Sequence, residues 1–233
     1  MKIAIIGAMK IEIEKLTAAT SNKSIVEERG VLITRCVLHS VPVCIAMCDP
    51  GKVNAAICAQ TLIIKEHPTE MLSLGVAGAV RDLNIGEAAV ATSLVQHDVD
   101  TTPLGDPLGF ISGLGTVEIK TTDTIREGIY LAAQKAGIPV CYRKFATGDQ
   151  FVVPSRTKQI KKDFDADVFE MEGGAIAQAC YKANLPFGAV RVISDNGDAQ
   201  ADYEVFKFEA AEKSMEIISE YLKNKGTDTK INF

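Results

Sequence analysis

The 233-residue sequence lacks the features that direct a protein to a membrane or to a polyanionic partner. No hydrophobic run approaches the roughly 20 residues of a membrane span, and the N-terminal run "IAIIGA" is shorter than the hydrophobic segment of a signal peptide. The sequence has no basic run, and its net charge is −5. We therefore expect a cytoplasmic protein that binds neither membrane nor nucleic acid.

Several metal-binding and phosphate-binding motifs are also missing. The six cysteines are scattered through apolar segments without C-x-x-C spacing, which is typical of buried, reduced thiols. Neither G-x-G-x-x-G nor G-x-x-x-x-G-K-[ST] occurs, so the common dinucleotide and triphosphate loops are excluded. These absences favour a small neutral or cationic ligand.

What the sequence does contain is an alternation of strand-like and helix-like segments. Runs typical of strands are "KIAIIGA", "VLITRCVLHS", "VPVCIAMCD", "MLSLGVAGA", "EAAVATSLVQHD", "VCYRKFATGD" and "FGAVRVISD". Helical spacing occurs in "VNAAICAQTLIIKEH", "TTDTIREGIYLAAQKAG", "EGGAIAQACYKANL" and "YEVFKFEAAEKSMEIISEYLKNKG". No linker divides the chain. The pattern predicts one α/β domain over residues 1–233, with helices flanking a mixed or mostly parallel sheet.

The segment 101–115, "TTPLGDPLGFISGLG", interrupts this alternation. It combines four glycines and two prolines with the apolar residues Leu104, Phe110 and Ile111. A loop of this length inside a compact domain is usually functional or part of an interface. We expect a contact between copies of the chain, and the alternative is a loop packed on its own domain.

Acidic residues and glycines dominate the predicted strand ends, where ligands of open α/β sheets bind. Glu12 follows the first strand, Glu172 lies in "VFEMEGG", and Asp195 ends "VISD". Each has a simpler explanation, because a first-turn glutamate stabilises a helix dipole and an aspartate can cap a turn. No single one of the three is decisive.

Six collinear motifs between Met1 and about Ser214 together resemble a known family. "MKIAIIGAMKIEIEKL", "GKVNAA", "GVAGA", "TGDQFV", "FEMEGGAIAQAC" and "LPFGAVRVISDNGD" resemble the 5′-methylthioadenosine/S-adenosylhomocysteine nucleosidases, within the purine nucleoside phosphorylase superfamily. The resemblance implies a nucleoside phosphorylase-like α/β domain with a central twisted mixed sheet. It also implies a homodimer without metal or organic cofactor, which hydrolyses the N-glycosidic bond to release adenine and a 5-thioribose.

The same resemblance assigns roles to residues. Glu12 would activate the attacking water, and Asp195 would protonate adenine N7 with the help of Ser194. Glu172 would hold the ribose hydroxyls. The implied substrate contacts are Met9, Val76, Phe151, Val152, Met171, Glu172, Ser194, Tyr203, Leu104 and Ile111. Of these, Phe151 would stack on the base, and Leu104 and Ile111 would line the pocket of the partner subunit.

The chemistry of glycosidic cleavage is consistent with three acids in one cleft. Positive charge develops on the ribose, and carboxylates stabilise it. Negative charge develops on the adenine, and protonation of the base stabilises it. Crowding and burial would raise the pKa of Asp195, so that it carries this proton. We expect the glycines after Glu172 to leave room for the sugar, and Glu170 to remain solvated.

The sequence departs from the common family pattern at three places. "GVAGA" has Val76 where relatives frequently have serine, and "CDPGK" introduces Asp49 and Pro50 where many relatives read S-G-I-G-K. The segment "SDNGDAQADYEVF", which carries Tyr203, is shorter than its counterpart in relatives. Because Val76 has no hydroxyl, the hydrogen bond that the serine would make to the acid or to water is absent.

Three other functions compete with hydrolysis. A phosphorylase of the same fold would use phosphate instead of water, although Glu12 would repel the anion. A nucleoside-binding protein would show no turnover. A metal site in "QHDVD" would need His97, Asp98 and Asp100, which alternate between the two faces of a strand. We leave Lys52 outside the site, in a structural or solvated role.

Overall fold

The structure is a computed structural model that describes residues 1–80, 82–196 and 199–228. The strands are β1 (Ile3–Gly7), β2 (Ser21–Glu28), β3 (Val31–Leu38), β4 (Val41–Met47), β5 (Glu70–Ser73), β6 (Val76–Ala79), β7 (Ala88–Gln96), β8 (Glu118–Lys120), β9 (Val140–Thr147), β10 (Val168–Glu170) and β11 (Phe187–Asp195). The helices are α1 (Lys10–Ala18), α2 (Lys52–Glu66), α3 (Asp123–Lys135), α4 (Pro154–Phe164), α5 (Gly173–Lys182) and α6 (Ala199–Asp228). A short 3-10 helix covers Thr102–Leu104.

The strands form one mixed sheet in the order β2-β3-β4-β1-β5-β11-β6-β10-β9-β7-β8. Strand β1 runs parallel to β4 and β5, and β11 runs parallel to β5 and β6. The pairs β2–β3, β3–β4, β6–β10 and β7–β8 are antiparallel. This confirms the predicted single α/β domain with a mixed sheet.

One half of the sheet closes on itself. Strand β7 pairs with β9 and also, antiparallel, with β11. The pairings β11–β6, β6–β10, β10–β9, β9–β7 and β7–β11 therefore form a closed ring of five strands. Within this ring the ends of β9 and β10 lie side by side, with Thr147 beside Glu170, and the end of β11 lies beside Gly78 of β6.

Helices cover both faces of the sheet because alternate residues of a buried strand point to opposite sides. In β1, Ala4 and Ile6 belong to a core cluster that also contains residues of α2 and α5. Ile3 and Ile5 belong to a second cluster, with residues of α1, α3 and α6. Such two-sided burial is typical of parallel strands in α/β proteins.

Most of the predicted elements are present, and several were missed. The sequence patterns predicted neither β2, β8 nor α4. Helix α6 is longer than the predicted segment 203–226, and Gly226 lies inside it rather than at its end. A Cβ at Gly226 would clash with the carbonyl of His39, so this glycine serves close packing. All six cysteines are free thiols, and five of them are buried, as predicted.

No helix in residues 1–80, 82–196 and 199–228 has the length and hydrophobicity that a membrane span requires.

Candidate active site

Glu12 is held beyond the end of β1 by backbone amides on both of its oxygens. One oxygen accepts hydrogen bonds from the amides of Ala8 (2.7 Å) and Met9 (2.8 Å). The other accepts from the amide of Val76, at the start of β6 (3.0 Å). Glu12 thus caps its own helix, as a first-turn glutamate does, while it also joins two strands. Burial raises the pKa of Glu12, and the charge of Arg191 opposes the rise.

Glu172 occupies the turn between β10 and α5. One of its oxygens accepts a hydrogen bond from the amide of Gly51 (2.9 Å), and the other lies 4.0 Å from Nη2 of Arg191. Burial raises the pKa of Glu172 to about 7, and the carboxylate of Glu170 adds to the rise. The backbone of a distant loop therefore orients this carboxylate.

Asp195 ends β11 and is 5% exposed. Its Oδ2 accepts a hydrogen bond from the hydroxyl of Ser194 (3.0 Å). Burial raises the pKa of Asp195 to about 6, and the Ser194 hydrogen bond opposes the rise. A carboxyl group with this pKa exchanges protons close to neutral pH, as a general acid must.

The three acids line one cleft of about 160 Å³. Nine of the twelve predicted site residues line it, namely Met9, Glu12, Val76, Phe151, Met171, Glu172, Ser194, Asp195 and Tyr203. The half-exposed ring of Phe151 meets Tyr203 edge-on, with 5.8 Å between the ring centroids. The cleft thus combines carboxylates with an aromatic wall.

The other three predicted residues lie outside this lining. Val152 is half-buried and packs against the small core cluster beneath α4. Leu104, in the 3-10 helix, is 83% exposed. Ile111 is buried in the core of its own chain.

The prediction that Glu170 is solvated is wrong. Glu170 is buried and accepts a hydrogen bond from Nη2 of Arg191 (2.7 Å) and another from the hydroxyl of Thr147. It also caps α5 by accepting from the amides of Glu172 (3.1 Å) and Gly173 (2.6 Å). The buried Arg191 requires such a partner, because an unpaired buried charge is costly.

The two glycines after Glu172 make room for this network rather than for the sugar, contrary to our expectation. A Cβ at Gly173 would lie 2.7 Å from the side chain of Leu94 and 3.0 Å from Glu170. A Cβ at Gly174 would lie 2.8 Å from the hydroxyl of Thr147. Close packing beneath the cleft therefore explains both glycines.

Sequence reasoning also missed several residues of the cleft. The missed residues are Ala8, Ala77, Gly78, Phe169 and Glu170, whereas Pro50, also in the lining, was marked by the departure at "CDPGK". Arg191 lies in this region and bonds Ser73 (3.1 Å) as well as Glu170. A single arginine within the apolar strand "FGAVRVISD" was a usable signal, since a buried cation needs carboxylates around it.

The residues of "QHDVD" lie outside the cleft lining. Asp98 forms an ion pair with Lys52 (2.6 Å), which gives Lys52 a structural role, as expected. His97 is buried. Within the described part of the chain, no group of three His, Cys, Asp or Glu side chains is placed to hold a metal ion.

Comparisons with known proteins agree along nearly the whole chain. A family model described as the phosphorylase superfamily matches residues 2–223. An aminodeoxyfutalosine nucleosidase of Campylobacter jejuni is 33% identical over 210 residues, which are 89% of this chain and 91% of the relative. A 5′-methylthioadenosine/S-adenosylhomocysteine nucleosidase of Staphylococcus haemolyticus is 33% identical over 227 residues, 95% of this chain and 99% of the relative.

A solved structure gives the same result. The 5′-methylthioadenosine/S-adenosylhomocysteine nucleosidase of Neisseria meningitidis, in complex with methylthio-immucillin-A, has a TM-score of 0.92 at 29% identity, covering 96% of this chain and 99% of that chain. Since these matches extend over most of the sequence, the chain belongs to the 5′-methylthioadenosine/S-adenosylhomocysteine nucleosidase family of the phosphorylase superfamily, a family of nucleosidase enzymes.

Proposed function

We propose that this protein hydrolyses the N-glycosidic bond of 5′-methylthioadenosine, S-adenosylhomocysteine, or both, releasing adenine and the matching 5-thioribose. One observation carries the proposal, namely that Glu12, Glu172 and Asp195 come from separate strand ends and line the same buried cleft. A buried trio of acids suits a reaction in which one product leaves with a proton and the other passes through a cation.

Adenine binds at the Asp195 end of the cleft. The ring of Phe151 stacks on the base, and the backbone of Val152 bonds its edge. Protonated Asp195 gives its proton to N7, and Ser194 orients the acid through their hydrogen bond of 3.0 Å. The raised pKa of Asp195, about 6 because of burial, supports this role.

The ribose lies over Met171, and Glu172 accepts hydrogen bonds from its 2′- and 3′-hydroxyls. Bonds from hydroxyls to a carboxylate are charge-assisted and therefore strong. The amide of Gly51 fixes one oxygen of Glu172, which keeps the carboxylate in place before the sugar arrives.

Glu12 activates the water. As the bond between C1′ and N9 breaks, its electron pair goes to the adenine, which Asp195 has protonated. The water oxygen bonds to C1′, and Glu12 takes the proton that the water loses. Val76 contributes through its amide, which holds Glu12 without the hydroxyl that a serine would add.

The cleft favours water over phosphate as the nucleophile. Of its described lining residues, none is lysine or arginine. Arg191, close by, is 3% exposed in its side chain and is engaged by Glu170. The carboxylates of Glu12 and Glu172 would repel a phosphate anion.

The comparisons favour a second candidate substrate. The aminodeoxyfutalosine nucleosidase of Campylobacter jejuni is as similar to this chain as the methylthioadenosine/S-adenosylhomocysteine enzymes are. Aminodeoxyfutalosine also carries adenine on a ribose with a bulky 5′ substituent, so the same three acids would cleave it. A panel of adenine nucleosides separates these substrates.

We also propose that the protein is a homodimer with the loop 101–115 at its interface. Leu104 in this loop is exposed, and α2 exposes Val53, Ile57 and Ile64. Lys52, at the start of α2, forms an ion pair with Asp98, which lies three residues before the loop. Exposed apolar side chains on this loop and on α2 are the kind of surface that a partner covers.

Adenine release tests the function. The purified protein is incubated with each nucleoside, with and without phosphate, and the adenine and sugar products are quantified. We expect adenine and free 5-substituted ribose in equal amounts, with no effect of phosphate. Sugar 1-phosphate that forms only with added phosphate would reject hydrolysis, and bound nucleoside without adenine release would indicate a binding protein.

A further inference from the structure

The phenol of Tyr203 is a polar group in an otherwise apolar part of the cleft wall. Tyr203 lies in the first turns of α6, half-buried, and lines the cleft together with Met9 and Pro50. Its hydroxyl has one hydrogen-bond partner within the described residues, Sδ of Met9 at 3.4 Å. A thioether is a weak acceptor, so the hydroxyl can still donate a stronger bond to a ligand.

The position of this hydroxyl follows from the nucleoside orientation given under the proposed function, on which this inference rests. Asp195 and Phe151 hold the base, and Glu172 holds the ribose hydroxyls. Pro50 directly precedes Gly51, whose amide bonds Glu172, so the Met9, Pro50 and Tyr203 wall lies on the sugar side of the cleft. The 5′ carbon of the ribose carries the substituent that extends along this wall.

The surroundings of the ring make the phenol a good donor to an oxygen. Nζ of Lys207 lies 5.1 Å from the centroid of the Tyr203 ring and is paired with Glu204 at 2.5 Å. The ring of Phe151 packs edge-on against Tyr203, with 5.8 Å between the ring centroids. A phenol keeps its proton at neutral pH, and burial raises the pKa of Tyr203 further.

We propose that Tyr203 is a specificity-determining residue that donates a hydrogen bond to an oxygen acceptor, a carbonyl or carboxylate, on the 5′ substituent of the nucleoside. A methylthio group or a hydrogen at the 5′ carbon offers no such acceptor, so the Tyr203 hydroxyl keeps its hydrogen bond to Sδ of Met9. The preferred substrate class is therefore an adenine nucleoside with an oxygen-bearing 5′ substituent.

The test compares Tyr203→Phe with the wild type on two groups of substrates. S-adenosylhomocysteine and aminodeoxyfutalosine carry oxygen acceptors at the 5′ end, whereas 5′-methylthioadenosine and 5′-deoxyadenosine do not. We expect Tyr203→Phe to lower kcat/KM about tenfold for the first group and less than about twofold for the second, since one hydrogen bond to a charged group is worth about that ratio. Tyr181→Phe, at an exposed tyrosine outside the cleft, is the matched control.

Equal changes for both groups, or no change in either, would overturn the role of Tyr203 and leave the hydrolase proposal intact. If the wild type releases adenine from no nucleoside, the hydrolase proposal fails. The specificity proposal is then read from dissociation constants for 5′-methylthioadenosine and S-adenosylhomocysteine, measured by calorimetry. The proposal is supported if Tyr203→Phe binds S-adenosylhomocysteine more weakly than the wild type does but binds 5′-methylthioadenosine equally well. It is overturned if the variant and the wild type bind S-adenosylhomocysteine with equal affinity.

Discussion

At the scale of single residues, the motif "GVAGA" is explained by how closely two carboxylates approach its glycines. Glu12 lies against Gly75, where an added Cβ would clash with its Oε1. Asp195 lies against Gly78, where a Cβ would be 2.8 Å from Oδ1. The motif therefore accommodates one acid beside each of its two glycines, Gly75 before β6 and Gly78 within it.

Replacing Gly78 by alanine tests this arrangement. We expect Gly78→Ala to lower kcat/KM by about 10- to 100-fold, because the added methyl group displaces Asp195 from its productive position. Gly113→Ala is the control, since its Cβ would lie 3.6 Å from Lys182, an ordinary contact. Steady-state adenine release measures both variants, and an unchanged rate in Gly78→Ala would contradict the account.

The pH profile tests the role of Asp195. The acid must be protonated to act, and burial raises its pKa to about 6, so kcat/KM falls as the pH rises above about 6. The hydroxyl of Ser194 lowers the pKa of Asp195. Ser194→Ala should therefore shift the descending limb to higher pH, whereas Ser155→Ala, at an exposed serine of α4, should not. If the descending limb of the pH profile is at the same pH in Ser194→Ala as in the wild type, the titration of a group other than Asp195 determines it.

The sequence was informative about residues that lie in local motifs. Glu12, Glu172 and Asp195 each end or follow a recognisable strand, so their convergence could be predicted. The burial of Glu170 could not, because its partners Thr147 and Arg191 are brought to it by β9 and β11. The reason for the glycines at 173 and 174 depends on the same distant contacts.

At the scale of elements, Glu170 links four parts of the fold. It ends β10, caps the first turn of α5, and bonds Thr147 on β9 and Arg191 on β11. The position of Glu172, two residues later, depends on this junction.

Glu170→Ala should destabilise the fold by about 3–5 kcal/mol, because it leaves Arg191 buried without its closest carboxylate. Urea denaturation measures the loss in the free energy of unfolding. Glu27→Ala, at an exposed glutamate of β2, should change stability by less than about 0.5 kcal/mol. Equal stabilities of the two variants would show that the junction contributes little.

Elements with strong periodicity could be predicted, and those defined by pairing could not. The closure of the ring depends on β7 pairing with β11, about 100 residues away along the chain. The short strand β8 has too few residues for a period to be recognised. In α2, Leu62 is buried while Val53, Ile57 and Ile64 are exposed, so its apolar positions do not all face the core.

At the scale of the whole molecule, that exposed face of α2 supports the proposed dimer. We expect Ile57→Glu to convert the dimer to monomers, because it places a charge within an apolar interface. Sedimentation velocity measures the change, and Ile25→Glu, at an exposed isoleucine of β2, is the control. A wild type that sediments as a monomer would contradict the proposal.

The central claim is that three acids from separate strands act together on one bound adenine nucleoside. The most direct measurement is the rate of adenine release by Asp195→Asn at neutral pH, compared with the wild type and with Asp163→Asn at an exposed position on α4. The amide keeps the shape of Asp195 but delivers no proton. We predict a rate below about one tenth of the wild-type rate, with binding of an adenosine analogue retained and Asp163→Asn fully active. If Asp195→Asn releases adenine at more than about one tenth of the wild-type rate, the account is contradicted.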